Sequence, residues 1–364
     1  MARSGSTSSG SKPRKDGKTA IPPEIRLERR WWHEIPMWLF YVPVAIGILA
    51  MLARYRSLSA PLCANYGLEH GGLHPDSKDA FFSRFSPDCP LLVRQTALAT
   101  TLSPDEALAR YEAFIKTFSN PRAVLKPDEG IQGMDVLMIG SADDFRQAWQ
   151  KAVASGGNWL LQEFVGGVEA GLFYVRASPA EPGRIVSMTL KRGFPVAGDE
   201  RRSIGELIQA EDTVNADGET RRRVAKYNRH QLERIPAKGE MLDLMPVRNH
   251  HLGATFQDIS AFITDDLETG VVPHLDAIEG YHYGRLDARA PDYESLFAGK
   301  GIKVLEVNAL YSEPVHAYDP RYGLGEAIGI FLAHWHMAVK AGLANQRAGK
   351  PRIAFWRSVF NAKT

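Results

Sequence analysis

Residues 304–310 read VLEVNAL, and upstream of them residues 285–289 read RLDAR. Arg285-Leu286-Asp287 ends one short β-type run and Glu306-Val307-Asn308 ends another. Residues i and i+2 of a strand project from one face, so Glu306 and Asn308 stand together. With Asp287 from a neighbouring strand they form a set made of oxygen donors alone. Such a set suits Mg2+ (or Mn2+), which takes carboxylate and carbonyl oxygens and fills its shell with water and phosphate. Zinc is poorly served: His250-His251 and His334/His336 lack thiol or carboxylate partners at ligand spacing.

Three more stretches place charge where a phosphate can use it. In LKPDEGIQGMDV (125–136), Lys126 leaves a strand directly into a loop holding Gly130 and Gly133. Glycines let backbone N–H groups close over anionic oxygens, and the lysine adds a point charge. Ordinary glycine-bearing hairpins share that pattern, and no GK[ST] opens a helix to make it a Walker A loop. In LLQEFVGGVEAGLFYVR (160–176), a strand ends at Gln162-Glu163-Phe164, a glycine turn follows, and Glu169 begins a second strand. Carboxylates and exposed backbone at such a linker can hydrogen-bond a base and ribose; a hairpin with solvated acids reads the same way. In MTLKRGFPVAGDERRSIGELI (188–208), Lys191 and Arg192 stand at a strand end, and Arg201 and Arg202 follow a Gly198-Asp199 turn. These cations can neutralise a polyphosphate or an anionic substrate, or form a solvated cluster.

In their order and spacing the four stretches resemble the ATP-grasp superfamily, in its D-alanine–D-alanine ligase and cyanophycin-synthetase-like branch, over roughly residues 75–340. LKPDEGIQG is similar to the family's lysine and flexible glycine loop over the triphosphate, and LLQEFVGGVE to its adenine-contacting linker. KRGFPVAGDERRSIGELI is similar to the branch's R-x-P-x-x-V-x-GDG stretch, and RLDAR with VLEVNAL to its two metal-binding strands. The resemblance implies an α+β fold in which two α+β subdomains clasp ATP. It implies that Lys126, and Lys78 at a helix start in HPDSKDAFF, touch the ATP phosphates beneath the loop of Gly130 and Gly133. Glu163 and Glu169, with the main chain of Phe164 and Val165, would hold adenine and ribose. Asp287, Glu306 and Asn308 would hold Mg2+, and Arg285 and Lys191 would stabilise charge on the transferring phosphoryl group. Asn249 and Asp258, in RNHHLGATFQD, are similar to an Asn…Gly…Asp element of the branch near metal or substrate. The stretch after the metal strand borders the substrate in such ligases, which makes Ser312, Glu313, His316 and Asp319 candidate acceptor contacts. His316 can act there as a base or stabilise a turn. Three departures stand out: Met134-Asp135 replaces a further glycine, GDE replaces GDG at Asp199-Glu200, and the family's N-terminal substrate domain is nearly absent.

Elsewhere, Ala107, Leu108, Tyr111, Phe114 and Ile115 fall at helical spacing within residues 104–118, and Ser141 can cap a helix over 142–154. Residues 123–126 and 136–139 predict a hairpin, and 159–164, 171–177, 185–190 and 304–307 predict strands. Residues 256–266 and 325–344 predict helices. Strict βαβ alternation is missing, which points to an α+β domain with mainly antiparallel sheets.

The whole chain has 364 residues, 44% hydrophobic and 24% charged, which excludes a wholly disordered chain and a polytopic membrane protein. A net charge of +2 supplies no global field for nucleic acid. Cys63 and Cys89 are too few for a disulfide framework. The local anomaly is IPMWLFYVPVAIGILAML, residues 35–52, which carries no charge. Its helical length of ~27 Å is near the minimum for a bilayer core. Trp31, Trp32, Trp38 and Tyr41 are headgroup-type aromatics, and Arg26, Arg29, Arg30, Arg54 and Arg56 border the run. A buried core helix is the alternative. Residues 1–30 hold eight Lys or Arg and three acids, a bias that keeps this end cytoplasmic. ATP is cytosolic too, so a single crossing would put the remaining chain on the wrong side. Pro36 and Pro43 instead favour a re-entrant segment. The expected organisation is a disordered basic tail (1–30), a membrane-associated helix (31–56), an ATP-grasp domain facing the cytosol (61–345), and a basic aromatic tail (346–364). In that last segment Arg352, Trp356, Arg357 and Phe360 form a second interfacial patch or a plain disordered tail. The expected activity is a Mg-ATP-dependent ligase at the cytoplasmic membrane. It would activate a carboxylate as an acyl phosphate and join it to an amine or similar nucleophile, on a membrane lipid or envelope precursor. A phosphotransferase acting on a lipid or small molecule and a non-catalytic nucleotide-binding membrane module are the alternatives.

Overall fold

A computed structural model describes residues 30–74, 77–118, 120–130, 135–211, 217–245 and 254–360. The apolar run forms helix α1 (Met37–Tyr55), which ends where Arg56 adopts a left-handed conformation. A stretch of short turns leads to α2 (Lys78–Phe82), begun by Ser77, whose side chain accepts the Ala80 N–H.

The first sheet is assembled from β1 (Gln95–Ala99), α3 (Pro104–Ile115), β2 (Ala123–Pro127), β3 (Leu137–Ile139), α4 (Ala142–Ser155) and β4 (Asn158–Glu163). Its strands run in the order β1-β4-β2-β3, each pair antiparallel. Both helices begin on cues present in the sequence. Ser103 and Glu106 make a reciprocal capping box, and Ser141 accepts the Asp144 N–H. Their apolar faces close over the sheet, with Tyr111 stacked on Phe145 and Phe145 on Trp149 above Leu98, Leu125 and Leu161.

The second sheet begins with β5 (Val168–Val175) and β6 (Arg184–Arg192). A small unit follows: β7 (Pro195–Ala197), α5 (Ile204–Ala210), α6 (Gly218–Tyr227) and β8 (Met241–Asp243), around Phe194, Val196, Ile204, Ile208 and Val224. The sheet resumes with β9 (Thr255–Asp258), then α7 (Asp265–Asp276), β10 (Tyr283–Ala290), α8 (Tyr293–Phe297) and β11 (Lys303–Asn308). Its order is β11-β10-β5-β6-β9, antiparallel throughout. One face buries Ala170, Leu172, Met188, Leu190, Leu286 and Ala288 against α7 and α8. Helix α9 (Leu324–Arg347) lies against the turn Leu62–Asn65, β5 and α1, and α10 (Phe355–Phe360) ends the described chain. The architecture is α+β with antiparallel sheets, as the sequence predicts.

Two expectations are corrected. Residues 256–266 are not a helix: Thr255–Asp258 pairs with β6, and only a short 3-10 turn, Ser260–Phe262, precedes α7. Asp287 lies inside β10 rather than at its end, because pairing with β5 continues to Ala290 opposite Val168. Within the C-terminal segment, residues 355–360 form α10, which buries Ser358; its hydroxyl lies 3.3 Å from the His70 ring and its carbonyl 2.9 Å from that of His74.

Candidate active site

The second sheet has two unlike faces because its sequence alternates. In antiparallel pairs, residues directly opposite share a face. Glu169 stands opposite Lys191 and Arg289, Gly171 opposite Asp287, Asp287 opposite Glu306, and Arg285 opposite Asn308. The face away from the apolar core is therefore a continuous charged layer. Gly171 keeps it open: a Cβ there would lie 3.3 Å from Arg285 Cδ and 3.5 Å from Lys191 Cε.

Asp287 is the centre of this layer. Its Oδ1 accepts from Arg285 Nε at 2.8 Å and from Lys191 Nζ at 2.7 Å. Its Oδ2 accepts from Arg285 Nη2 at 3.1 Å and from Asn308 Nδ2 at 3.3 Å. Burial works to raise this carboxyl's pKa, but the two cations outweigh burial and hold it well below the usual carboxylate range. Burial likewise opposes charge on Arg285, and the Asp287 partner more than restores it. Arg285 also donates through Nη1 to the Glu313 carbonyl at 2.7 Å. The Glu313 carboxylate accepts from Tyr318 at 2.9 Å and from Tyr41 of α1, so the apolar helix touches the charged layer through one residue.

Two lysines reach this layer from the other part of the molecule. Lys126, on β2, is buried, and its Nζ donates to Gln162 Oε1 at 3.1 Å and to the Leu305 carbonyl of β11 at 3.1 Å. Both acceptors are neutral, and among the described residues Lys126 makes no ion pair. Burial therefore lowers its pKa to about 8, despite opposing contributions from Glu306, Asp287 and Asp128. Lys78, the first residue of α2, donates to the carbonyls of Asp128 at 3.0 Å and Gly130 at 3.1 Å and lies 3.7 Å from Glu306. Lys78, Lys126, Lys191, Arg285 and Arg289 meet Asp128, Glu169, Asp287 and Glu306 at the junction of the two sheets, and Glu313 lies close enough to act on Arg285.

The remaining predicted residues fall into distinct places. Glu163, at the end of β4, accepts the Arg94 N–H at 3.0 Å and lies 3.3 Å from its guanidinium. The Phe164 N–H donates to Arg122, and the ring carries the Arg122 guanidinium 4.2 Å from its centroid. The Val165 carbonyl accepts from Arg289 at 2.6 Å, and Glu169 accepts from the same guanidinium at 2.8 and 2.9 Å. Glu169 is therefore tied into the charged layer rather than presented openly at the linker. Arg289 went unassigned in the sequence, although it sits two residues beyond Asp287 in RLDAR and so on the same face.

His316 is buried beside His334, their rings 5.1 Å apart, and its Nδ1 has no hydrogen-bond partner among the described residues. Burial lowers its pKa and keeps it neutral. It shares no hydrogen bond with Lys191, Arg285 or Asp287 among the described residues, so the structure does not group it with them. The Ser312 hydroxyl donates to the Ala309 carbonyl at 2.5 Å. Asp319, wholly buried, accepts from the Asp258 N–H at 2.7 Å and the Arg321 N–H at 2.9 Å. Asp258 in turn holds Ser260 and Tyr322. Gly133, Met134 and Asn249 lie outside the described residues; Gly130 lies at the start of the loop, with its carbonyl on Lys78.

Among the described residues no group of three or more His, Cys, Asp and Glu side chains gathers as a metal site. The predicted set reaches three donors only through the Asn308 amide. Its chemistry still fits a hard cation. The Glu306 carboxylate is partly exposed, and Lys78 is its one ion-pair partner among the described residues. The Asn308 oxygen accepts from Tyr311 at 2.8 Å while its nitrogen faces Asp287. Because a tyrosine hydroxyl can donate or accept, rotating that amide would turn its oxygen towards Asp287 and Glu306.

No family model matches the chain, and no curated protein matches it. Among solved structures it is similar to a bifunctional glutathione synthetase from Pasteurella multocida, at 18% identity and TM-score 0.39 over 71% of this chain and 36% of that one. It is also similar to the D-alanine–D-alanine ligase from Bacillus anthracis, at 12% identity and TM-score 0.45 over 77% of this chain and 70% of that one. A third likeness is to the ATP-grasp ligase PsnB, solved with a phosphomimetic variant of its minimal precursor, Mg and ADP. It stands at 12% identity and TM-score 0.37 over 71% of this chain and 58% of that one. The chain spans just over a third of the glutathione synthetase. At these identities and TM-scores the likenesses say nothing of this chain's chemistry.

Proposed function

We propose that this chain is a Mg-ATP-dependent ligase of the ATP-grasp type. It activates a carboxylate as an acyl phosphate and joins it to an amine or similar nucleophile. A membrane lipid or envelope precursor supplies one substrate, and the charged layer faces the cytosol. The observation that carries the reading is Lys126: a buried ammonium bridging two sheets, with only neutral hydrogen-bond acceptors among the described residues. Burying such a cation costs free energy unless an anion joins it, and a triphosphate supplies one.

Lys126 and Lys78 take phosphate oxygens where the two sheets meet. Lys191 and Arg285, fixed by Asp287, hold positive charge against the oxygens that gain negative charge as the γ-phosphoryl group moves. Asp287, Glu306 and Asn308 would hold Mg2+ (or Mn2+), which supplies Lewis-acid neutralisation of the triphosphate when bound. In the first step the γ-phosphorus–oxygen bond to ADP breaks as one forms to the substrate carboxylate. In the second the nucleophile forms a bond to the acyl carbon, phosphate leaves, and the nucleophile gives up its proton.

Purified full chain with Mg-ATP and a panel of carboxylic acids, in the presence of hydroxylamine, tests this. A ligase yields ADP, inorganic phosphate and an acyl hydroxamate in equal amounts, and Lys126→Met abolishes all three. ADP without phosphate identifies a phosphotransferase instead. ATP binding with no turnover on any acid identifies a nucleotide-binding module.

A further inference from the structure

Helix α1 has one face committed and one face open. Phe40, Val44 and Leu52 are buried against α9. Phe40 meets Phe331 edge-on with ring centroids 5.3 Å apart, and a Cβ on Gly47 would lie 2.5 Å from the Leu332 side chain. On the opposite face Trp38, Val42, Ile46 and Leu49 form one stripe, with Ile46 62% and Leu49 63% exposed, and Leu39 beside it. No charged residue occurs from Met37 to Ala53. Arg54 and Arg56 then follow, and Trp31, also exposed, precedes the helix. A contiguous apolar stripe along ~17 Å of helix exceeds the scattered apolar exposure usual on a protein surface.

We infer that this stripe lies in one leaflet of a membrane, with α1 parallel to the bilayer plane and both of its ends on the same side. Both α1 and α9 are long and apolar enough to cross a membrane. However, α9 packs on the turn Leu62–Asn65 and on β5 inside the folded domain. A helix clamped along its length to α9 meets lipid with its outer face alone. Pro43 points the same way. It lies on the exposed side and supplies no N–H to the Leu39 carbonyl, a group that water serves readily at headgroup depth. Tryptophans at one end and arginines at the other match the interfacial layer, whereas an interface with a second copy needs neither. This inference extends the membrane part of the proposed function and does not depend on ligase chemistry.

Two measurements on the full chain test it, neither of them reading ATP turnover. The first is flotation with phosphatidylcholine vesicles, with and without phosphatidylglycerol. The wild type should float, and the double variant Ile46→Glu/Leu49→Glu should lose flotation by about tenfold or more. Both substitutions are at exposed positions, and an unchanged thermal unfolding midpoint shows that the fold survives. Equal flotation of the two proteins, or none by either, overturns the inference. So does a lipid-free dimer that the double variant dissociates, since a second copy would then cover the stripe. The second measurement uses Glu34→Cys and Leu58→Cys, each labelled by a membrane-impermeant maleimide added outside protein-bearing vesicles. Cys63 and Cys89 are buried and should stay silent. Labelling at both ends from the same side is expected; protection of one end alone means that α1 crosses the bilayer.

Discussion

If Lys126 meets a triphosphate as proposed, it sets a pH dependence on nucleotide binding whose size follows from its surroundings. An ordinary lysine titrates near 10.5, and burial brings this one to about 8. The difference corresponds to about 3 kcal/mol of disfavoured charge. Between these two pH values the unfolded chain holds a proton that the folded protein has shed. The free protein therefore gains stability as pH rises through this window, and the cost is fully present below pH 8. A triphosphate beside Nζ reverses the balance, because it favours the ammonium and draws the pKa back up. ATP binding should then take up a proton above pH 8, and its Kd should weaken as the free protein loses that proton. From a pKa of about 8 the expected weakening is about tenfold at pH 9 and about a hundredfold at pH 10, with little change below pH 7. Phosphate oxygens titrate near pH 6 and contribute nothing to this slope. Isothermal calorimetry with Mg-ATP from pH 6.5 to 9.5, in buffers of different ionisation enthalpy, reads both Kd and proton uptake. Lys126→Arg, charged throughout, should flatten the curve, and Lys126→Met should bind weakly at every pH. A flat wild-type curve, or a Lys126→Met protein that keeps the wild-type slope, would refute the reasoning.

Asp287→Asn leaves Lys191 and Arg285 buried without their shared carboxylate and should destabilise the fold by about 3–5 kcal/mol, measured by urea denaturation. Glu306→Ala removes a partly exposed carboxylate whose one ion-pair partner among the described residues is Lys78, at 3.7 Å, so unfolding should shift by less than about 1 kcal/mol. Mg2+-dependent ATP turnover should nevertheless fall by at least about a hundredfold if Glu306 is a metal donor. At Gly342 a Cβ would lie 1.6 Å from the Ala60 carbonyl oxygen, so Gly342→Ala should push α9 off the segment that follows α1 and lower the thermal midpoint by several degrees. The matching substitution at Gly325, with open space around it, should cost far less and is the control.

What could be read from sequence was whatever is decided locally. The Ser141 cap, the hairpin of β2 and β3, and the alternation that puts Glu306 with Asn308 and Arg285 with Asp287 all depend on spacing alone. The strand at Thr255–Asp258 was misread because Phe256, Ile259, Phe262 and Ile263 fall at near-helical intervals. Pairing with β6, some 60 residues earlier, decides the matter against that local pattern. Arg289 was within reach of the same alternation. The Lys126 contact with the Leu305 carbonyl was not, because it joins positions 179 residues apart across two sheets. Nor did anything in residues 35–52 announce that Tyr41 would seek out Glu313.

That last bond has a practical consequence. The customary route to a tractable sample of such a chain is to delete the greasy leader and express the remainder. Here the deletion would remove the hydroxyl that steadies Glu313, whose carbonyl steadies Arg285, whose guanidinium grips Asp287. A trimmed protein could fold and still be inert, and its silence would say nothing about the intact one.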